Sequence, residues 1–463
     1  MVGRRGFARG RDKTRSMTEK NMTLLRTFKF IGVICTVCAL SGVAYSQESA
    51  GPAAAESAPA VAASAAQSSS PSSVVEVEWE YIKTLAENKD DEVASAALGQ
   101  LSDWLRFYPE EASSAEAQLL KARLHLRAGE YKVAVVDLLK HLYVYPQADS
   151  GPAAAKLLKD TIEKKAPKKI KQALVEIAFG PAESNVEQRL ALLIERLSAK
   201  TGEELYEPVT AEFAEFFGRF PRYAGRDALQ LALADYHLKK EEYLLARLGY
   251  EKMIQLYPLS PLRVKGEKAL GDVLAVNIKD YAAAIKVYQA VAASFPGTVE
   301  AWASYLQLAV LCEKQKQYPL ALSVYERIIG LYPDRAEAYE AFRSEARILR
   351  SEVASPKEAM VVLSRLADKY PGEKAVEALY LAAEIARNDI KDFEAEIKMY
   401  DRVVAEYPDK ERAPRALLAA GQAYEKLKNR DKAKQYYTTI IEKFPDEPLA
   451  KKAQKYIVSL DSK

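Results

Sequence analysis

The sequence predicts an all-α fold, an α-α superhelical solenoid of helix–turn–helix repeats. Three observations predict it. An aromatic residue followed by proline recurs, with the prolines at 109, 146, 221, 258, 296, 333, 371, 408 and 445. The intervals are 37 or 38 residues, apart from one of 75 that spans two periods and contains the worn mark Phe179-Gly180-Pro181. Within each period the apolar residues fall at helical spacing, as in Leu417, Leu418, Gly421 and Tyr424 and then Ala433, Tyr437, Ile440 and Ile441. Self-similarity at such a period means stacked units that bury a continuous core between neighbours.

The marks set the helix ends. A residue before proline avoids the αR region, so each second helix is expected to stop at its aromatic. Twelve residues before the proline stand Ala97, Ala134, Ala246, Ala284, Ala321, Ala359 and Ala433. Eight before it stand Tyr250, Tyr288, Tyr325, Tyr400 and Tyr437, or Leu101, Leu138 and Leu363. The small residue lets two helices approach and the large one a turn later fills the space beside it.

On these residues the chain resembles the tetratricopeptide repeat. Gly421, Tyr424, Ala433, Tyr437 and Pro445 match that pattern position by position, and the resemblance covers about residues 74–460. The period is longer than the usual one, with residues added after the proline. Lengthened repeats of this kind are similar to those of bacterial periplasmic and outer-membrane assembly proteins, of the β-barrel assembly lipoprotein and Tol–Pal accessory type. The resemblance implies a scaffold that binds other proteins or peptides in the groove formed by its first helices. The shared residues are packing residues, so they do not choose the partner.

Residues 1–46 read as an export signal. Arg26 and Lys29 precede the uncharged apolar run from Phe30 to Ala44, and Ala44-Tyr45-Ser46 offers small residues for cleavage. Cleavage predicts an exported, periplasmic protein of a bacterium; an uncleaved signal would serve as a membrane anchor. The formal net charge of +3 is carried by this segment. Its nine basic and two acidic residues, set aside from 67 and 64, leave 58 against 62. A nearly neutral remainder gives no electrostatic reason to bind nucleic acid.

Residues 47–73, rich in Ala, Ser and Pro, have no large apolar residue to bury beyond Val61 and are expected to form a disordered tether. Residues 74–221 form an N-terminal block, regular to Pro146 and then interrupted by Gly151-Pro152, Ala166-Pro167, Gly180-Pro181 and Glu207-Pro208. The interruption is expected to mark a bend. Lys156, Lys159, Lys164, Lys165, Lys168, Lys169 and Lys171 make it locally basic. They form either a solvated helix face or a peripheral contact for a membrane or cell-wall polymer. Residues 222–445 are six regular repeats, and residues 446–463 a capping helix whose Leu449, Ala453, Tyr456, Ile457 and Leu460 face inward.

No catalytic, cofactor or metal set is expected. His125, His141 and His237 lie in separate units, and after cleavage Cys312 alone remains of the cysteines. HExxH, GxGxxG, Walker and GxSxG patterns do not occur, and the one CxxC spacing, Cys35-Thr36-Val37-Cys38, falls inside the apolar run of the expected export signal. A non-enzymatic interaction scaffold of the cell envelope, for outer-membrane or envelope biogenesis, is the leading expectation; a periplasmic scaffold of exopolysaccharide export or secretion is the alternative.

If the first helices line the groove, as the resemblance implies, its candidate residues are Gln307, Arg343, Arg347, Arg350, Tyr380, Glu384, Arg387, Gln422 and Glu425. Arg343, Arg347 and Arg350 share one helical face. An outward guanidinium row would suit an acidic or C-terminal peptide, and the alternative is again a solvated face.

Overall fold

The computed structural model describes residues 73–178, 185–409 and 411–462. The expected export signal, all of the tether but Ser73, and the worn mark at Phe179 to Pro181 lie outside the described residues. Among the described residues the chain is an all-α helical repeat solenoid of twenty-one α-helices without a strand.

Four helix pairs form the first block. They are α1 (Val74–Ala86) with α2 (Asp91–Phe107), α3 (Ser114–Arg127) with α4 (Tyr131–Val144), α5 (Gly151–Lys165) with α6 (Lys168–Ile177), and α7 (Val186–Lys200) with α8 (Tyr206–Arg219). Six pairs follow: α9 (Arg226–Lys239) and α10 (Tyr243–Leu256), α11 (Arg263–Asp272) and α12 (Tyr281–Ser294), α13 (Val299–Lys314) and α14 (Tyr318–Leu331). Then come α15 (Ala336–Ser351) and α16 (Pro356–Lys369), α17 (Glu373–Ile385) and α18 (Phe393–Glu406), α19 (Ala413–Lys426) and α20 (Arg430–Lys443). The last helix, α21 (Pro448–Asp461), buries Ala450, Ala453 and Leu460 and exposes Lys451, Lys452 and Lys455.

Sequence chemistry explains the boundaries. Ser73 caps α1 in a reciprocal capping box with Glu76, which satisfies two otherwise orphaned N–H groups. Every aromatic before a mark proline terminates a second helix; Tyr257, Phe295, Tyr332 and Phe444 all leave helical geometry with ψ near +50° to +60°. Inside the repeats the chain reverses through one left-handed residue, at Gly129, Glu241, Lys279, Lys316, Ala354, Lys391 and Lys428. Two first helices, α11 and α17, run into π-helical turns at Val273–Ile278 and Ala386–Ile390 before that reversal.

The repeat register places its packing residues where the periodicity requires. All seven mark alanines are fully buried, as are Tyr250, Tyr288 and Tyr437. Opposite Tyr288 and Tyr437 the first helices carry glycine, and opposite Tyr250 the same position is Ala234. A Cβ on Gly421 would stand 2.5 Å from Tyr437 Cε1, and one on Gly271 2.6 Å from Tyr288 Cε1. The tyrosines then reach out of the core to an acid on the first helix. Tyr250 donates to Asp235 at 2.6 Å, Tyr288 to Asp272 at 2.8 Å, Tyr437 to Glu425 at 2.5 Å, and Tyr325 to Glu313. Each phenol is therefore satisfied at the edge of the apolar layer.

The irregular block is organised around α4. Ten of its fourteen residues are buried, because it packs against α7 and α8 as well as against α3 and α5. Arg189 of α7 donates to the carbonyls of Tyr143 and Val144 at the exposed-dipole end of α4, at 2.6 and 3.1 Å. Tyr143 Oη donates to Ile177 O at 2.7 Å and accepts from Arg196 at 2.8 Å. Among the described residues no helix is long and apolar enough to cross a membrane.

Candidate functional site

The first helices α15, α17 and α19 stand next to one another, and their expected groove residues line three adjoining clefts. Arg343, Arg347 and Arg350 line one of about 440 Å³ with Leu363 and Leu381. Tyr380, Glu384 and Arg387 line the next, of about 450 Å³, which shares Leu381 with the first. Arg387, Gln422 and Glu425 line the third, of about 370 Å³. Gln307 is exposed on α13 and lines none of the three.

The arginines do not form an unopposed row of positive charge. Arg343 lies 3.4 Å from Glu377 of the next repeat, and Arg347 meets Glu313 of the preceding one. Arg350 reaches Asp389 at 2.5 Å and Glu384 at 3.2 Å. The physical reason is the repeat period itself. It brings acids of neighbouring first helices beside each arginine, and a partly exposed guanidinium takes the nearest carboxylate. The groove is thus a surface of alternating charge held by exposed pairs, each worth only about 0–1 kcal/mol. A ligand can exchange such pairs at little cost.

Aromatic rings punctuate the same face. Tyr380 packs edge-on against Tyr400 with centroids 5.3 Å apart, and Tyr456 of α21 stacks on Tyr437 at 5.2 Å. Gln422 donates to Tyr456 Oη at 2.9 Å, tying α19 to the last helix. Burial pushes the Tyr380 phenol up to about 12, so it serves as a neutral hydrogen-bonding group.

Two features escaped the sequence reading. Glu396 occupies the slot twelve residues before Pro408 where seven other marks have alanine; the gap in that alanine series was the available signal. Its carboxyl is buried and forms part of the third cleft. The second is a cleft of about 650 Å³ in the first block, between α2, α3, α4 and α8, with Lys140 in its wall. Its charged lining residues come from segments far apart in sequence, and no spacing pattern announces it.

The histidines take structural positions. His125 Nδ1 lies 2.6 Å from Glu130, His237 Nδ1 2.7 Å from Tyr206 Oη, and His141 Nε2 2.8 Å from Ser150 Oγ. Burial pushes the Cys312 thiol up to about 11, which leaves it un-ionised and unreactive at neutral pH. Among the described residues no group of three or more His, Cys, Asp or Glu could hold a metal ion. Of the interrupted segment's lysines, Lys169 pairs with Glu204 and Lys171 donates to Glu163 O at 2.6 Å, while Lys156, Lys159, Lys164, Lys165 and Lys168 are exposed.

Family models of the tetratricopeptide repeat match residues 273–336, 377–410 and 415–447. Over those segments the chain carries tetratricopeptide repeats. The matched segments cover α18 and α20 and most of α17 and α19. Among solved structures the chain is similar to the TPR domain of P58(IPK), at 15% identity over 84% of this chain and 98% of that one, with a TM-score of 0.21. It is similar to PilW, described as a widely conserved type IV pilus biogenesis factor, at 14% over 58% and 99%, with a TM-score of 0.25. Yeast Tom70 is similar at 14% over 84% and 93%, with a TM-score of 0.23. No curated protein matches the chain.

Proposed function

We propose that this tetratricopeptide protein is a non-enzymatic protein–protein interaction scaffold of the bacterial cell envelope, serving outer-membrane or envelope assembly. The observation that carries the interaction role is the row of three adjoining clefts along consecutive first helices, lined by Arg343, Arg347, Arg350, Tyr380, Glu384, Arg387, Gln422 and Glu425. Repeats present equivalent side chains at regular steps, so an extended partner segment meets one cleft after another. The envelope setting rests on the apolar run from Phe30 to Ala44 behind Arg26 and Lys29.

The test replaces Arg343, Arg347 and Arg350 together by glutamine in the full chain and repeats an affinity pull-down from envelope extract. Because these pairs are exposed, the melting temperature is expected to stay near wild type while one or more partners are lost. Recovery of every partner at wild-type level would show that the binding surface lies elsewhere. N-terminal sequencing of protein from cells tests the setting, with a start near Gln47 in a soluble periplasmic fraction expected.

A further inference from the structure

Nine aromatic-proline marks define nine small-residue slots. Seven hold a fully buried alanine, the one before Pro221 holds Val209, and the one before Pro408 holds Glu396. A carboxyl has thus replaced a methyl at a helix crossing that is filled by the methyl elsewhere. Glu396 is 1% exposed. Its Oε1 lies 3.6 Å from Arg387 Nη1, outside hydrogen-bond reach, and its Oε2 has no hydrogen-bond partner. Leaving a buried charged or polar group unsatisfied costs about 1–3 kcal/mol or more. A repeat that could have used alanine carries this cost, which points to a use for the free oxygen.

The surroundings say what would satisfy it. Glu396 lies in the wall of the third cleft with Arg387, Gln422, Glu425, Lys426 and Tyr456. Half-buried Glu425 is an acceptor already engaged by Tyr437 on Oε1 alone. Gln422 spends its N–H on Tyr456 and keeps its carbonyl oxygen. Arg387 and Lys426, by contrast, are exposed at the rim, with the Arg387 guanidinium reaching in to 3.6 Å from Glu396 Oε1. The interior of the cleft therefore offers acceptors, and its volume of about 370 Å³ suits one long side chain.

We propose that this cleft is a binding site for a primary ammonium or guanidinium group, the side chain of a lysine or arginine on a partner segment, with Glu396 Oε2 as its principal acceptor. The proposal rests on the reading of the groove as a partner-binding face and names the chemistry of one of its pockets. An incoming N–H donor supplies the hydrogen bond that Arg387 is too distant to make. An anion would instead be set against the carboxylates of Glu396 and Glu425. The basic rim favours a cationic residue flanked by acidic ones over a run of cations. Burial pushes the Glu396 carboxyl up to about 7, and an arriving cation would favour the ionised form that burial disfavours.

The test uses the full chain and two blocked amino acids as probes, N-acetyl-lysine methylamide and N-acetyl-glutamate methylamide, at matched ionic strength and about pH 8, where a carboxyl of this kind is ionised. Binding is read by NMR titration of the Glu396 side-chain carboxyl and by thermal shift. The lysine probe is expected to move the Glu396 signal and raise the melting temperature of the wild type. In Glu396→Ala, which restores the residue of seven other repeats, the thermal shift should vanish, and in Glu396→Gln binding should weaken at least tenfold. The glutamate probe should do neither. Stabilisation by the glutamate probe that depends on Glu396 would overturn the proposal, as would a lysine response equal in wild type and Glu396→Ala, or no response at all. The groove reading has its own readout in the arginine pull-down, so either idea can fail without the other.

Discussion

The ammonium of Lys140 lies 2.7 Å from Glu215 Oε2 and 3.0 Å from Glu212 Oε2, so a charge on α4 is held by two carboxylates of α8 some seventy residues away. Lys140 is buried, and burial alone would lower its pKa; the two glutamates outweigh that and raise it. Burial raises Glu212 despite Lys140, whereas at Glu215 the attraction to Lys140 overcomes burial and lowers it. Glu215 makes the shorter contact from a half-exposed position, and Glu212 is the buried acceptor.

Lys140→Met is expected to destabilise the first block by about 3–5 kcal/mol, since it strands a buried carboxylate. Adding Glu212→Leu should recover part of that loss. Chemical denaturation followed by amide exchange in α4 and α8 measures both. A single variant as stable as wild type would mean the pair is idle.

Two local sites, around Glu345 and Glu396 and around His141, should respond oppositely to acid. Burial pushes Glu345 and Glu396 up to about 7 from an ordinary 4.5, so the fold holds their protons more tightly than the unfolded chain. Their contribution is full below the unfolded value and is lost as pH rises through about 7. Burial pushes His141 down to about 4 from 6.5, so its contribution is full above the unfolded value and is lost as pH falls through about 4. Between about pH 8 and 5, with exchange corrected for its intrinsic pH dependence, acidification should raise protection in α15 and α18 and lower it around α4. Glu345→Gln and Glu396→Gln together should flatten the first response. Uniform behaviour along the chain would contradict it.

Close packing gives a third expectation. Gly421→Ala pushes a methyl into Tyr437 and Gly271→Ala into Tyr288, each costing about 1–3 kcal/mol. Ala321→Leu and Ala433→Leu overfill fully buried slots and should cost as much. Gly99→Ala meets nothing within 4 Å on α2 and should gain up to about 1 kcal/mol from helix propensity. Thermal unfolding separates the two classes.

The left-handed turn residues give a fourth. Ala354 sits at φ 56° with no side chain able to bond locally. Ala354→Gly relieves about 1–2 kcal/mol of Cβ strain and loses part of it to the unfolded chain's added freedom. A net rise in melting temperature is expected, and a fall would contradict the turn assignment.

The helices were legible because their punctuation is local. Proline after an aromatic, alanine at one offset and tyrosine at another constrain one helix pair at a time, and the buried alanines and terminating aromatics follow from them. That Arg343, Arg347 and Arg350 share a face of α15 was legible, but the pairing of their charges was not. Arg343 with Glu377, or Arg350 with Asp389, depends on how far one repeat is rotated against the next. The same holds for Lys140, whose partners are brought near by the irregular packing of α5 and α6. Glu396 was legible in principle, as the one acid in a series of small residues.

The central claim is that the face of α15, α17 and α19 is where partners bind. Site-specific photo-crosslinking tests it most directly. A photoreactive residue is placed at Arg347, Tyr380 or Arg387 on that face, and at Val361 or Leu248 on exposed second-helix positions. The account predicts adducts with a common partner from the first three positions and none from the last two. Adducts confined to Val361 and Leu248 would contradict it.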